Sequence, residues 1–534
     1  MRPTLLTRAV VLAAAVAGAL ALTATAGAAR YLVVYRGHDV PRDAARQIAK
    51  AGGTLVWSYD RIGVALADSD DPAFLDRLNG KPRVADVGSL PDFDGEADDL
   101  GDAGDDWDGG HGGRHDSLPN RPASDNDTFS PFQWGLRQIQ GDDAHAITGG
   151  SPSVLVGDVD SGVDYDHPDL KPNLDLGSSV SCASGIPSQT PDPVTGRLPF
   201  DDTVGHGTQT AGLIAADDNG TGIVGVAPNV KLAAVKVTAT DPRDNGTKIF
   251  PQAAICAFMW AADHGFDVVN SSLAVDRLEA NVDANHVGYF CRSNPADLPI
   301  IRAVSRAVHF AMRKGVTVVA SAGNTGVDLN DPPAGADCLR MPVGLRGVVG
   351  VTSESAIHQK TFNSNYGLGE IDLTAPGGDP LQPAVPPEVP TPTGQNLTTW
   401  PAALLPVAKT DAGGNYQNQF GTSSAAPYVS GVAALVVSKF GKDRRWRDDV
   451  RMSPTLVRRI LEDTATPIEC PPNPYVRVVN APPPFGGTWT ANCFSHGQKN
   501  GFFGFGEVNA LAAITVHLHG HGPCRKVHSK HAKH

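Results

Sequence analysis

The chain has 534 residues, of which 41% are apolar and 19% charged, with a net charge of -13. Such a length can bury a large core and suggests roughly two to four domains. The negative balance argues against nucleic acid and anionic membranes as partners and leaves proteins and peptides open.

The chain opens with MRPTLLTRAVVLAAAVAGALALTATAGAAR, in which Arg2 and Arg8 precede an apolar run from Ala9 to Leu22 and small residues follow. Residues 1–29 read as a secretory signal peptide, because the run falls short of the ~20 apolar residues of a membrane span. Residues 30–91 follow the order strand (RYLVVYRG), helix (PRDAARQIAKAG), strand pair (GTLVWSYDRIGVALAD), helix (DPAFLDRLNG), strand (RVADVGSL). That order is the split βαβ pattern, which by itself says little about function. Residues 92–128, including DFDGEADDLGDAGDDWDGGHGGRHD, are acidic and Gly-rich and hold too few apolar side chains to offset the entropy of ordering. They read as a solvated linker rather than a calcium-binding segment.

After Gln133, apolar strand candidates alternate with helices: SVLVGDVD, KLAAVKV, FDVVNSSLA, GVTVVASAGN and GVVGVTS. Between them, PIIRAVSRAVHFAMRKG repeats Ile300, Ile301, Val304, Val308 and Met312 at helical spacing, with Arg302, Arg306 and Arg313 on other faces. Continuous apolar strands alternating with helices imply an α/β fold whose mostly parallel sheet is covered on both faces, in three layers. In such folds ligands gather beyond the carboxyl ends of the strands. Polar residues just after each apolar run are therefore the candidates for chemistry.

Three segments fit. Asp160 ends the strand in VGDVDSGVDYDHPDL, His206 sits between glycines in DDTVGHGTQTAGLIAA, and Ser423 follows Gly-Thr in NQFGTSSAAPYVSGVAAL at the head of an apolar helix. A hydroxyl, an imidazole and a carboxylate are the parts of nucleophilic acyl transfer. Their order along the chain, Asp, His, Ser, separates this arrangement from those with the other two orders. The helix amino end at Ser423 also favours developing negative charge.

On DSGVDYDHPDL, GHGTQTAGLIA, SAGN and GTSSAAP, which occur in that sequence, the chain resembles the subtilisin-like serine peptidases over roughly residues 133–465. The resemblance implies a subtilisin-like fold and a serine endopeptidase with Asp160, His206 and Ser423 as its triad. It implies Asn324 as a side-chain donor to the oxyanion beside the N–H of Ser423, and Ser424 as a packing position. Substrate would pair as an added strand with Ser272, Leu273 and Ala274 on one side and Ser321, Ala322 and Gly323 on the other. Catalysis would need no cofactor. A structural calcium would be held by Asp169, Asn219 and carbonyls of Asp217, Thr221 and Ile223, although the usual amino-terminal glutamine ligand is not evident. Residues 30–91 resemble the family's propeptide, an intramolecular chaperone and inhibitor, so the chain is expected to be a zymogen whose mature form is a monomer without a membrane span.

The sequence departs from that family at Gln209 and Tyr428, where histidines are common, and at Ala274, a usual glycine. Insertions at 275–298 and 377–396 are expected to be surface loops near the cleft that restrict access. The seven cysteines, Cys182, Cys256, Cys291, Cys338, Cys470, Cys493 and Cys524, lack Cys-x-x-Cys spacing and in an exported chain favour disulfides. Each fencing one loop, Cys256 would pair with Cys291 and Cys470 with Cys493. The catalytic domain is placed at 129–516, with a disulfide-bearing extension after Pro467. Residues 517–534 form a His- and Lys-rich tail, read as solvated, with metal or an anionic cell envelope as alternative partners. We therefore expect a secreted serine endopeptidase; the alternatives are a processing peptidase dedicated to one peptide precursor and a catalytically silent peptide-binding protein on the same fold.

Overall fold

A computed structural model describes residues 28–90, 121–240, 247–275, 288–332, 337–382, 394–404, 415–444, 447–479 and 486–517. All of the expected signal peptide but its last two residues, most of the acidic segment, the tips of both insertions, Cys524 and all of the tail but His517 lie outside the described residues.

The amino-terminal unit is built from β1 (Ala29–Tyr35), α1 (Ala44–Ala51), β2 (Thr54–Tyr59), β3 (Val64–Ser69), α2 (Phe74–Leu78) and β4 (Val84–Ser89). Its antiparallel sheet has the order β2-β3-β1-β4, which places the two halves of the split motif side by side. Alternation along β1 gives two faces. Val33 and Tyr35 pack under the unit's own helices with Ile48, Phe74 and Leu78, whereas Leu32 and Val34 turn to the larger domain.

The larger domain holds a parallel sheet of seven strands: β5 (Leu155–Asp160), β6 (Val180–Ser181), β7 (Lys231–Lys236), β8 (Val268–Ser271), β9 (Thr317–Ser321), β10 (Val349–Glu354) and β11 (Leu373–Pro376), in the order β11-β10-β9-β8-β5-β7-β6. The strands expected from the sequence form its centre. One face is covered by α3 (His206–Ala215) and α6 (Thr422–Phe440), which bury Val156, Val268, Val319 and Val349. The other is covered by α4 (Pro251–Asp263) and α5 (Leu298–Arg313), over Val269, Val318 and Ala320. Helices on both faces are what continuous apolar strands require.

The amino-terminal unit docks on α4 and α5. Leu32, Val34, Tyr59, Ile62, Val64 and Leu66 share one buried cluster with the α4 and α5 side chains. Arg302 and Arg306, expected simply on the outer faces of α5, serve this contact. Arg302 pairs with Asp86, and Arg306 Nη1 reaches the carbonyls of Tyr35 at 2.9 Å, Ile62 at 2.9 Å and Gly37 at 3.1 Å. Apolar burial, at roughly 1.5–3 kcal/mol per fully buried side chain, outweighs the exposed ion pairs, at about 0–1 kcal/mol each.

The disulfides correct one expectation. Cys256 pairs with Cys182, not Cys291; Cys291 pairs with Cys338, and Cys470 with Cys493 as expected. The reason is tertiary. Cys182 follows edge strand β6 beneath α4, and Cys291 faces Cys338 in the register of a small antiparallel ladder formed by Tyr289–Cys291 and Cys338–Arg340. Proximity along the chain decides neither pair. The Cys470–Cys493 bridge closes a hairpin of Tyr475–Val479 and Gly487–Ala491.

Candidate active site

The strand ends and helix heads meet along one edge of the parallel sheet. Asp160 is the last residue of β5 and fully buried. His206 opens α3, and its Nδ1 lies 2.7 Å from Asp160 Oδ1, which also accepts the N–H of Ser161 at 2.7 Å. Burial opposes the imidazolium, but the adjoining Asp160 carboxylate outweighs it and holds the His206 pKa above its ordinary value. An imidazole so oriented through Nδ1 presents Nε2 as the base.

The glycine after His206 is a requirement of contact. A Cβ at Gly207 would lie 2.0 Å from the Gly162 carbonyl, so the α3 head meets the β5 turn backbone to backbone. A side-chain network then fixes that head. Asp202 Oδ2 accepts from Thr208 N at 2.9 Å and Thr208 Oγ1 at 2.6 Å, while Oδ1 accepts from Gly205 N and Ser161 Oγ at 2.9 Å each. Ser161 Oγ in turn accepts the N–H of Gly207 at 2.8 Å. Asp202 therefore satisfies the first-turn donors that a helix leaves open.

Ser423 lies in the first turn of α6 and is 8% exposed. Gly421 before it has φ of +120°, and a Cβ there would sit 3.1 Å from the Asn324 amide. Asn324 follows β9 and is exposed. Its Oδ1 accepts from Thr422 N at 2.8 Å and Thr422 Oγ1 at 3.0 Å. With the oxygen committed to two donors, the amide NH₂ is left to donate, as an oxyanion donor must. The two helix heads are tied beside each other: Gln209, one turn beyond His206, donates from Nε2 to Ser424 Oγ at 2.8 Å. Gln209 and Ser424, the former a departure from the family pattern and the latter expected only to pack, thus form a buried link between α3 and α6.

Ser271 of β8 pairs with Ala320 of β9, so segments 272–274 and 321–323 leave the sheet side by side. Ser272 Oγ donates to the Ser423 carbonyl at 3.0 Å, and Gly323 N to Thr422 Oγ1 at 3.0 Å. Both segments are thereby anchored to the head of α6. Beneath them, Asn270 Nδ2 donates to Asp158 Oδ1 at 2.8 Å and to Ser272 Oγ at 3.0 Å, while Thr210 Oγ1 donates to Asp158 Oδ2 at 2.7 Å. Burial, and next the Asp160 carboxylate, push Asp158 well above the usual carboxylate range, favouring its neutral form.

Asp169, the calcium candidate, accepts from Ile223 N and Tyr416 Oη at 3.0 Å each and from Asn219 Nδ2 at 3.2 Å. Asn219 Oδ1 is engaged within its own loop by Thr221 N at 3.0 Å. Asp217 joins Asp169 through its backbone, N to O, at 2.8 Å. Residues 121–128, assigned above to the linker, run along this loop. Ser124 Oγ reaches Asp218 at 2.6 Å, and Asp127 Oδ1 accepts Gly220 N at 2.5 Å. Asp127 is buried, and its Oδ2 has no partner. Burial pushes the Asp127 pKa up to about 6, helped by Asp218 and Asp217, and that of Asp169 to about 7, helped by Asp127. Two buried acids with an orphaned oxygen fit a hard cation.

A family model described as the subtilase family matches residues 151–506. The chain belongs to that family. Subtilases are serine endopeptidases, and this chain is a subtilisin-like serine protease. It is 29% identical over 353 residues to the thermophilic serine proteinase of Bacillus sp. (strain AK1), a match covering 66% of each chain. With subtilisin DY of Bacillus licheniformis it shares 28% identity over 62% of its own length and 91% of that protein's. Among solved structures, the epidermin leader peptide processing serine protease EpiP of Staphylococcus aureus superposes with a TM-score of 0.62 at 21% identity, covering 92% of this chain and 99% of the other, which shows the shared fold. A lanthipeptide protease superposes with a TM-score of 0.52 at 26% identity, covering 72% of this chain and 95% of that one.

Three residues of the site escaped the sequence reading. Asp202 carries a capping signal, an acid four residues before the helix head. Asp158 is an acid inside an apolar strand, where burial alone flags it. Asp127 carries no signal, because only tertiary packing brings it to the loop.

Proposed function

We propose that the chain is a secreted serine endopeptidase made as an inactive precursor that cuts itself. Ser423 Oγ attacks the substrate carbonyl, His206 takes the proton and returns it to the leaving amine, and Asp160 holds the imidazole. The Asn324 amide and the Ser423 N–H receive the oxyanion. The carrying observation is the 2.7 Å contact between His206 Nδ1 and Asp160. Residues 30–91 act as the inhibitory propeptide, supported by their docking on α4 and α5; residues 1–29 direct export. Amino-terminal mass analysis tests this. Wild type should lose the propeptide and Ser423→Ala should retain it, and equal processing of both overturns self-cleavage.

A second reading is favoured by the similarity to the lanthipeptide protease: a processing peptidase for one peptide precursor, its cleft narrowed by the two insertions. A peptide-library digest decides between them, since one cleaved motif selects the processor and many select the broad protease.

The calcium reading is kept for Asp169, Asp217, Asn219, Thr221 and Ile223, with Asp127 in place of the missing glutamine. A bound ion would neutralise the paired acids and tie the mature amino terminus to the loop. Chelation should lower the melting temperature by a few degrees, and an unchanged value removes the site.

A further inference from the structure

A second pair of buried carboxyls lies away from the triad and the calcium loop. Glu354 ends β10 and is 0% exposed; Glu507, in the closing segment before α7 (Ala510–Thr515), is 2% exposed. The segment is held by backbone bonds on both sides, Thr374 N to Gly506 O at 2.9 Å and Glu507 N to Thr466 O at 2.9 Å, so Glu507 cannot withdraw to solvent. His358 completes the group. Its Nδ1 lies 3.3 Å from Glu354 Oε2 and 3.7 Å from Glu507 Oε1, and its ring is about half exposed.

Burying two carboxyls side by side is costly unless something positive joins them. Among the described residues their ion pairs are with His358 alone. Lys360, which pairs with Glu354 through the backbone, turns its ammonium to the Thr361 carbonyl at 3.1 Å and to the rings of Tyr366 and Phe502. Glu354 Oε1 and Glu507 Oε1 are buried without a donor of their own, and the two carboxyls lie within hydrogen-bonding reach of each other, with the Gln138 side chain also on Glu507. One ligand atom from each of the three residues falls within 4.8 Å of the others. Gln138 Nε2 lies 3.4 Å from His358 Nδ1, placing an outer-shell amide beside the group.

The geometry points to a divalent transition-metal site formed by Glu354, Glu507 and His358. Two carboxylates and one imidazole are a donor set for manganese or zinc, with the half-exposed ring as the route of entry. A bound ion would staple the closing segment to β10. That strand end is also close to the nucleophile: the Glu354 carbonyl accepts Gly377 N at 3.0 Å, and the Gly377 carbonyl accepts Gly421 N at 2.9 Å.

Manganese tests the site in the full chain carrying Ser423→Ala, which prevents self-digestion. The protein is freed of metal, given excess calcium to fill oxygen-only sites, and titrated with MnCl₂ while free manganese is read by electron paramagnetic resonance. We expect about one equivalent bound and a higher melting temperature. Glu507→Gln and His358→Ala should each weaken binding at least tenfold; the His358 ring is half exposed, so its variant should still fold without metal. Binding unaffected by both substitutions overturns the site. So does a failure to bind manganese accompanied by a Glu507→Gln protein more stable than its parent, which would mark the pair as two acids sharing a proton.

Discussion

The two walls of the cleft are held in different ways. On the Asp160–His206 wall, side chains bond to side chains and to donors of the helix head: Asp202, Ser161 and Thr208 fix the head that carries the imidazole. On the Ser423–Asn324 wall, side chains bond mostly to backbone groups. Gly421 brings the chain against Asn324, Thr422 fixes the amide, and the helix head supplies the open N–H. The difference follows from the chemistry. A base must keep one ring orientation while its charge changes, whereas an oxyanion pocket needs fixed dipoles that do not reorganise.

Substitutions on each wall sharpen the contrast. The largest effect is expected for Ser423→Ala, with kcat down by roughly 10⁶-fold, as on removal of the same group in a subtilisin. Asp160→Asn should cost about 10⁴-fold. It should also move the acid limb of the pH–rate profile to lower pH. The limb reports His206, whose protonated form cannot accept the serine proton, and the Asp160 carboxylate is what raises that pKa against burial. A limb that stays in place separates Asp160 from the imidazole. Asn324→Ala should lower kcat by about 10²- to 10³-fold at nearly constant KM, the loss known for such a donor in a subtilisin. A change in KM alone would make Asn324 a binding residue. Asp202→Ala should cost about 1–3 kcal/mol of stability through donors left open, with kcat reduced more than KM. Asp202→Asn, which keeps acceptor capacity, should recover part of both. Equal activity in all three proteins would show that the imidazole needs no such support.

The sequence disclosed the reacting groups of both walls but not the contacts that hold distant parts of the chain together. The residues that do chemistry sit at strand ends and helix heads, where a polar side chain interrupts an apolar run, and Asp160, His206, Asn324 and Ser423 all carry that mark. Strands β5 and β7 to β10 and the split motif at 30–91 were legible for the same reason, since period and turn chemistry are local. Contacts across the chain were not. Cys182 meets Cys256 only because β6 lies at the sheet edge under α4. Arg306 faces outward on a helical wheel, yet docks on carbonyls of a unit more than 200 residues earlier. Asp127 reaches Gly220 because residues 121–128 lie along the loop. Glu354 and Glu507 are each an unremarkable acid until β10 and the closing segment are adjacent.

A mechanism-based organophosphorus reagent tests the central claim most directly. The mature protein is treated with the fluorophosphonate and the adduct is located by peptide mass spectrometry. We expect one equivalent on the peptide containing Ser423, and no adduct in His206→Ala. Modification at a different serine, or equal labelling without the imidazole, would contradict the assignment of Ser423 and His206 as nucleophile and base.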